Sequence, residues 1–289
     1  MKHHFGDFLD RTGDYWTTIP NRERFAFIAD FEISNKDEVK ILTISKHQDK
    51  KYWEQIFDCP NLEELTLHDP SKEQVQAIRK LTNIKRLRVT LFRATDVDFI
   101  GDLPNLEELI LEYVSGFSDL TPLSKLTKLK SIHFENLRRV SNFDGLRGLN
   151  NLRYLHIDGT LDWNQPIENF DFLSGLPNLE VFSLGWITNK SAYPAFTSIL
   201  KLKNLKKINI IRNTFPTEEF AFLEVALPNV EGASWDLCRE YESWIDFVGK
   251  RAGRVKCTNP EVGNKCEEYI QKYKMLKLEA ENFIKNYHS

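Results

Sequence analysis

Two histidines, His133 and His156, stand 23 residues apart, and each is followed two positions later by a carboxylate, Glu135 and Asp158. Imidazole nitrogens and carboxylate oxygens are the donors of zinc-class sites, so two imidazoles and a carboxylate within reach of one another can share a divalent ion. That chemistry requires something that sets residues 23 positions apart side by side. Equivalent positions on adjacent strands have Cβ atoms about 5 Å apart, which is close enough. Nothing else in the pattern completes such a site, and histidines stacked along a sheet column are ordinary, so the expectation is no metal and no cofactor. A metal-dependent or enzymatic role for His133 and His156 with Glu135 and Asp158 stays as the alternative. Other catalytic spacings are missing from the sequence: no Gly-x-x-x-x-Gly-Lys, no Gly-x-Ser-x-Gly, no Gly-x-Gly-x-x-Gly after a strand and no His-Glu-x-x-His.

The positioning device is a repeat. Leu103-Pro-Asn-Leu106-Glu-Glu-Leu109-Ile-Leu111 places apolar residues at offsets 0, +3 and +5 from the anchor Leu106. The frame recurs at anchors Val39, Leu62, Ile84, Leu129, Leu152, Leu179 and Leu205, with a degenerate ninth copy at Val230/Ala233/Trp235. Spacings run from 22 to 27 residues. Apolar residues also fall three, six and nine positions before most anchors, as in Leu126, Leu123 and Leu120 before Leu129. A three-residue period followed by alternation predicts a short helix or 3-10 segment leading into a short strand.

In this frame the chain resembles the leucine-rich repeat superfamily over residues 39–236. The resemblance implies an α/β solenoid with a parallel β-sheet on the concave side and helical or 3-10 segments on the convex side. A repeat unit cannot bury its own apolar face, so neighbours stack into one continuous core. Three regions are expected: an N-terminal cap over 1–38, about nine repeat strands over 39–236, and a C-terminal helical cap over 237–289. Phe25, Phe27, Phe31 and Ile33 alternate and predict a capping strand beside the first repeat. Tyr241, Trp244, Ile245 and Val248 have helical spacing, and a second helix is expected from Asn259-Pro260 to Tyr287. Its stripe of Cys266, Tyr269, Tyr273, Leu276, Ala280, Phe283 and Tyr287 fits packing on its own chain better than a two-stranded seam, so a monomer is expected. Many members of the superfamily carry asparagine at offset +8; here that column reads Pro70, Phe92, Val114, Leu137, Thr160, Ile187 and Asn213, so less regular turns are expected.

Alternation along each strand assigns offsets +2, +4 and +6 to the concave face. Glu108, Ile110, Glu112, His133, Glu135, Tyr154, His156 and Asp158 then gather on three neighbouring strands. Acid beside an exposed aromatic suits a basic or amphipathic protein partner, with Tyr154 as the anchor. The expected function is a non-catalytic protein-protein interaction module; the resemblance adds the option of an immunity or inhibitor-type protein of bacteria. Some bacterial members carry a ubiquitin-ligase domain after the repeats, but the flank here is too short for one.

Formal net charge is -3, from 39 basic and 42 acidic residues, which gives no field for nucleic acid or an anionic membrane. The first residues, Met-Lys-His-His-Phe-Gly-Asp, do not read as a signal peptide, and no apolar run reaches membrane-spanning length. With four cysteines and no Cys-x-x-Cys pair, the expectation is a cytoplasmic protein with reduced thiols, although Cys238, Cys257 and Cys266 cluster where secreted members often have disulfides.

Overall fold

The computed structural model describes residues 31–287 together with two short strands near the N-terminus, β1 (Arg11–Thr12) and β2 (Tyr15–Trp16), which pair antiparallel. Phe25 and Phe27 lie outside the described residues. Phe31 and Ile33 are not in a strand; their backbone carbonyl and amide instead clamp the side chain of Gln55, at 2.8 and 2.7 Å.

Eight of the nine expected strands form one parallel sheet: β3 (Ile41–Ser45), β4 (Glu64–His68), β5 (Arg86–Thr90), β6 (Glu108–Glu112), β7 (Ser131–Glu135), β8 (Tyr154–Asp158), β10 (Val181–Leu184) and β12 (Lys207–Ile210). Register follows the repeat frame without slippage, so that Leu109 pairs with Ile132 and Ile132 with Leu155. The ninth copy contributes only an isolated bridge, Lys207 to Glu231. Gly232 breaks it there, because its φ of +82° lies in the left-handed region and its Cα is pressed against the Ile208 carbonyl.

The segments before the strands are short helices, α1 (Lys50–Trp53), α2 (Lys72–Ala77) and α3 (Asp98–Gly101), and then 3-10 turns such as Thr121–Lys125 and Asp171–Gly175. Four of them start the same way. The side chains of Asp96, Asp119, Asn142 and Asn169 each accept a hydrogen bond from the backbone N–H two residues on, at 3.2, 2.8, 2.7 and 2.9 Å, which satisfies a donor the helix cannot.

Anchor, +3 and +5 residues line one continuous core, with Leu106, Leu109 and Leu111 fully buried. Phenylalanines dominate its later part: Phe170 stacks on Phe196 at 4.2 Å, and Phe196 meets Phe215 edge-on at 4.9 Å. The extra residues of the longer repeats sit outside the concave sheet. They form a second parallel pair, β9 (Gln165–Ile167) with β11 (Ile187–Asn189), and the helix α4 (Thr217–Ala226).

The turns after the strands are more regular than expected. Asp69, Leu91, Tyr113 and Asn136, all at offset +7, share φ values of 47°, 55°, 55° and 54°. Their amides donate to the strand ahead, as Leu91 N does to Glu112 O at 3.0 Å and Tyr113 N to Glu135 O at 2.9 Å. Phe92, Val114, Leu137 and Ile187 at offset +8 are buried, so this corner is held by apolar packing and the main chain. The polar ladder lies elsewhere. Asn61, Asn105, Asn151, Asn178 and Asn204, one residue before their anchors, each donate to a carbonyl of the preceding repeat at 2.6 to 3.0 Å.

Beside this column runs a charged one at offset +1, reading Lys40, Glu63, Lys85, Glu107, Lys130, Arg153, Glu180 and Lys206. Ion pairs bridge successive repeats at Lys85–Glu63 (2.7 Å), Lys130–Glu107 (3.1 Å), Arg153–Glu180 (2.9 Å) and Lys206–Glu180 (2.8 Å).

The C-terminal region combines a small sheet with a helix. The segment Tyr241 to Val248, expected to be helical, falls instead in the antiparallel pair β13 (Cys238–Tyr241) and β14 (Trp244–Phe247), extended by β15 (Arg254–Lys256). Tyr241 pairs with Trp244 across a two-residue turn, so the three-residue step between them is that of a hairpin and not of a helix face. Glu242, at φ 54°, turns the chain between them. Arg254 and Lys256 cover the Trp244 ring at 4.3 and 5.4 Å.

Helix α5 (Val262–Tyr287) packs on its own chain along the expected stripe. Tyr269 stacks on Phe247 at 4.5 Å and its hydroxyl donates to the Val248 carbonyl; Tyr273 Oη donates to Glu224 at 2.8 Å; Phe283 meets Phe222 edge-on. No helix among the described residues is long and apolar enough to cross a membrane.

Candidate functional site

Strands β6, β7 and β8 bring the eight candidate residues together in three columns. Glu108, Ser131 and Tyr154 share one register position; Ile110, His133 and His156 share the next; Glu112, Glu135 and Asp158 share the third.

Their exposure differs from expectation. Glu108, Ile110, Glu112, His133, Glu135, Tyr154 and His156 are all buried, and only Asp158 is partly exposed. Alternation fixes which face a side chain takes, but not whether that face is wet. In a parallel ladder like positions stack directly on one another at about 4.8 Å, and charges of opposite sign in register close into pairs.

Arg86, with flanking carboxylates, lies 3.0 Å from Glu64 and 3.1 Å from Glu108. Burial opposes its charge, but the two acids more than offset this and its pKa lies above the ordinary value. Arg88 is fully buried, and its Nε and Nη2 reach Glu112 Oε2 at 2.7 and 2.6 Å. Arg86 and Arg88 are therefore paired with the acids Glu64, Glu108 and Glu112 within one network along the sheet. Tyr154 packs with Val181 in an apolar pair separate from the main core, and burial pushes its hydroxyl pKa up.

The histidines meet face to face. Their ring centroids are 4.5 Å apart and the planes are 10° from parallel, so the two imidazoles stack and do not converge on a common ion. His156 Nε2 approaches Asp158 Oδ2 at 3.4 Å, and Asp158 Oδ1 accepts from Trp186 N at 2.5 Å. Glu112, His133 and Glu135 do converge, with one ligand atom from each within 4.8 Å of the other two.

Beyond β8 the concave face opens into a groove of about 400 Å³ running from His156 and Asp158 across β10 and β12 to Ser234 and Trp235. Gly185 and Gly232 form part of its floor, Asn209 is exposed and Ile211 half-buried. Trp186, beside it in sequence, is 37% exposed. Alternation along the strands assigns Gly185 and Ile211, at offset +6, and Gly232, at offset +2, to this concave face; Trp186, at offset +7, falls outside the alternating set and was missed.

The frame and the parallel sheet together define a leucine-rich repeat solenoid. No protein-family model matches the chain, and no curated protein does. Among solved structures it is similar to an internalin, inlF, of Listeria monocytogenes, with 21% identity over 61% of this chain and 48% of that one and a TM-score of 0.47. It is also similar to internalin C2 of the same organism (24%, 60% and 70%, TM-score 0.41) and to a structure of the FLRT2 repeat region with Latrophilin 3 and Unc5D (16%, 71% and 72%, TM-score 0.42). The chain spans about half the length of the first of these.

Proposed function

We propose that this chain is a non-catalytic protein-interaction module, with repeats over 39–236 between two caps, and that its partner docks in the groove beyond β8. The observation that carries this reading is the contrast along one sheet. The concave side chains of β6 and β7 are buried in an internal network, whereas Asp158, Asn209, Ile211, Ser234 and the adjacent Trp186 remain accessible on a rigid floor. A pre-formed groove with a few polar groups beside an aromatic edge binds without first ordering itself.

The partner surface that fits is amphipathic: an apolar side chain against Ile211 and Trp186, and a basic group for Asp158. The eight residues gathered by β6 to β8 contribute mainly as the scaffold of that groove, with His156 and Asp158 at its border. A monomer in the cytoplasm remains the setting we propose.

The test is a peptide library displayed against the immobilised protein, followed by calorimetry of recovered peptides on variants. Trp186→Ala and Ile211→Asp should each weaken binding by about 2 kcal/mol, as expected for central anchors. Lys125→Ala, on the convex side, should leave it unchanged. Peptides whose affinity ignores both groove changes would move the docking surface elsewhere.

A further inference from the structure

We infer that Glu112, His133 and Glu135 form a binding site for a divalent transition-metal ion of the zinc class. Three donors of the right kind, one imidazole nitrogen and two carboxylate oxygens, come from adjacent strands and have ligand atoms within 4.8 Å of one another. All three side chains are buried, with relative exposures of 1%, 2% and 1%. Zinc bonds of about 2.0 to 2.2 Å place ligand atoms roughly 3.3 Å apart, so the three side chains would close in by up to about 1.5 Å around the ion.

Two of the three ligands are already oriented by a neighbour. The Arg88 guanidinium holds one oxygen of Glu112, and His156 fixes the plane of the His133 ring by stacking on it. Such supporting contacts set ligand direction in metal sites and determine much of the affinity.

His156 lies face-on to His133, so the ligand set is one imidazole and two carboxylates. Oxygen-rich coordination with a single imidazole suits zinc, manganese or cobalt over copper(I), which prefers sulfur. Cobalt(II) is therefore a faithful probe.

The experiment uses the full chain, stripped of metal by chelator and titrated with cobalt(II) chloride and, separately, zinc chloride. One equivalent of cobalt should bind saturably, with d–d absorption and no thiolate charge-transfer band, and zinc should displace it. Glu135→Gln and His133→Gln should each weaken binding by more than about tenfold, while His68→Gln, on β4, should leave it intact. Circular dichroism shows whether the variants fold; if they do not, the wild-type titration decides alone. No saturable cobalt binding, a thiolate band placing the ion on cysteine, or unchanged affinity in both folded variants would each overturn the assignment.

Discussion

The carboxylate of Asp158 occupies the space that a side chain on Gly185 would take, and from there it accepts a hydrogen bond from Trp186 N at 2.5 Å. Only glycine leaves that room, so the turn after β10 is tied to the end of β8 by one charged acceptor. Gly185→Ala should drive Asp158 out and leave the Trp186 amide short of its partner. The expected loss is about 1.5 to 3 kcal/mol in urea unfolding, the range for hydrogen bonds to charged groups.

Leu109→Ala removes a fully buried leucine and should cost about 2 to 5 kcal/mol. Alternation alone would make Ile110→Ala and Tyr154→Ala cheap. Burial reverses this: Ile110 and Tyr154 are 1% and 2% exposed. Both substitutions should therefore cost at least about 2 kcal/mol, with Tyr154 the larger, measured by the same unfolding titration. A change near zero at either position would mean that this face is open in solution.

Glu219 is buried on α4, with Oε1 accepting from Ala195 N at 2.7 Å and Oε2 lacking a hydrogen-bond partner among the described residues. Burial pushes its pKa up from 4.5 to about 7. Between those values the unfolded chain releases its proton while the folded chain keeps it. Stability is thus fully present below the lower value and falls as pH rises through the upper one, by an amount on the order of 3 kcal/mol. Glu219→Gln keeps the Ala195 bond and removes the charge, so it should flatten the stability–pH curve between about pH 4.5 and about pH 7. An unchanged slope would place the titration elsewhere.

Truncation after residue 260 should lower the melting temperature and promote aggregation, because it uncovers Phe222 and Phe247, the ring partners of Phe283 and Tyr269, and strips Glu224 of Tyr273 and Lys277. Scanning fluorimetry with light scattering reads both effects. A truncated chain that melts at the original temperature and loses only dimerisation would instead make α5 an association element.

The apolar frame made the sheet legible down to its register, because a period of two on the strand admits only one burial pattern once anchors are fixed. The polar columns were equally visible but sat at other offsets. Asparagine precedes the anchor at Asn61, Asn83, Asn105, Asn151, Asn178, Asn204 and Asn229. The carboxylates and amides at Asp96, Asp119, Asn142 and Asn169 mark the helical starts. What periodicity cannot convey is accessibility. Nothing in the spacing of Glu108 or Glu112 distinguishes a solvated acid from one locked against Arg86 or Arg88, since that depends on which sign the neighbouring repeat carries at the same offset. The Tyr241–Val248 segment was misread for a related reason: a three-residue step fits one turn of helix and also two residues facing each other across a two-residue turn, as Tyr241 and Trp244 do at Glu242.

The charged column at offset +1 bears on how the repeats find their neighbours during folding. All units expose nearly the same apolar edge, so docking that skips one repeat would bury almost as much leucine as the correct pairing. Charge breaks the tie. Skipping β5 would set Glu63 against Glu107, and skipping β6 would set Lys85 against Lys130, each exchanging an attraction for a repulsion just where two strands begin to zip. In the first half of the array, each repeat thus carries the sign of its place in the queue.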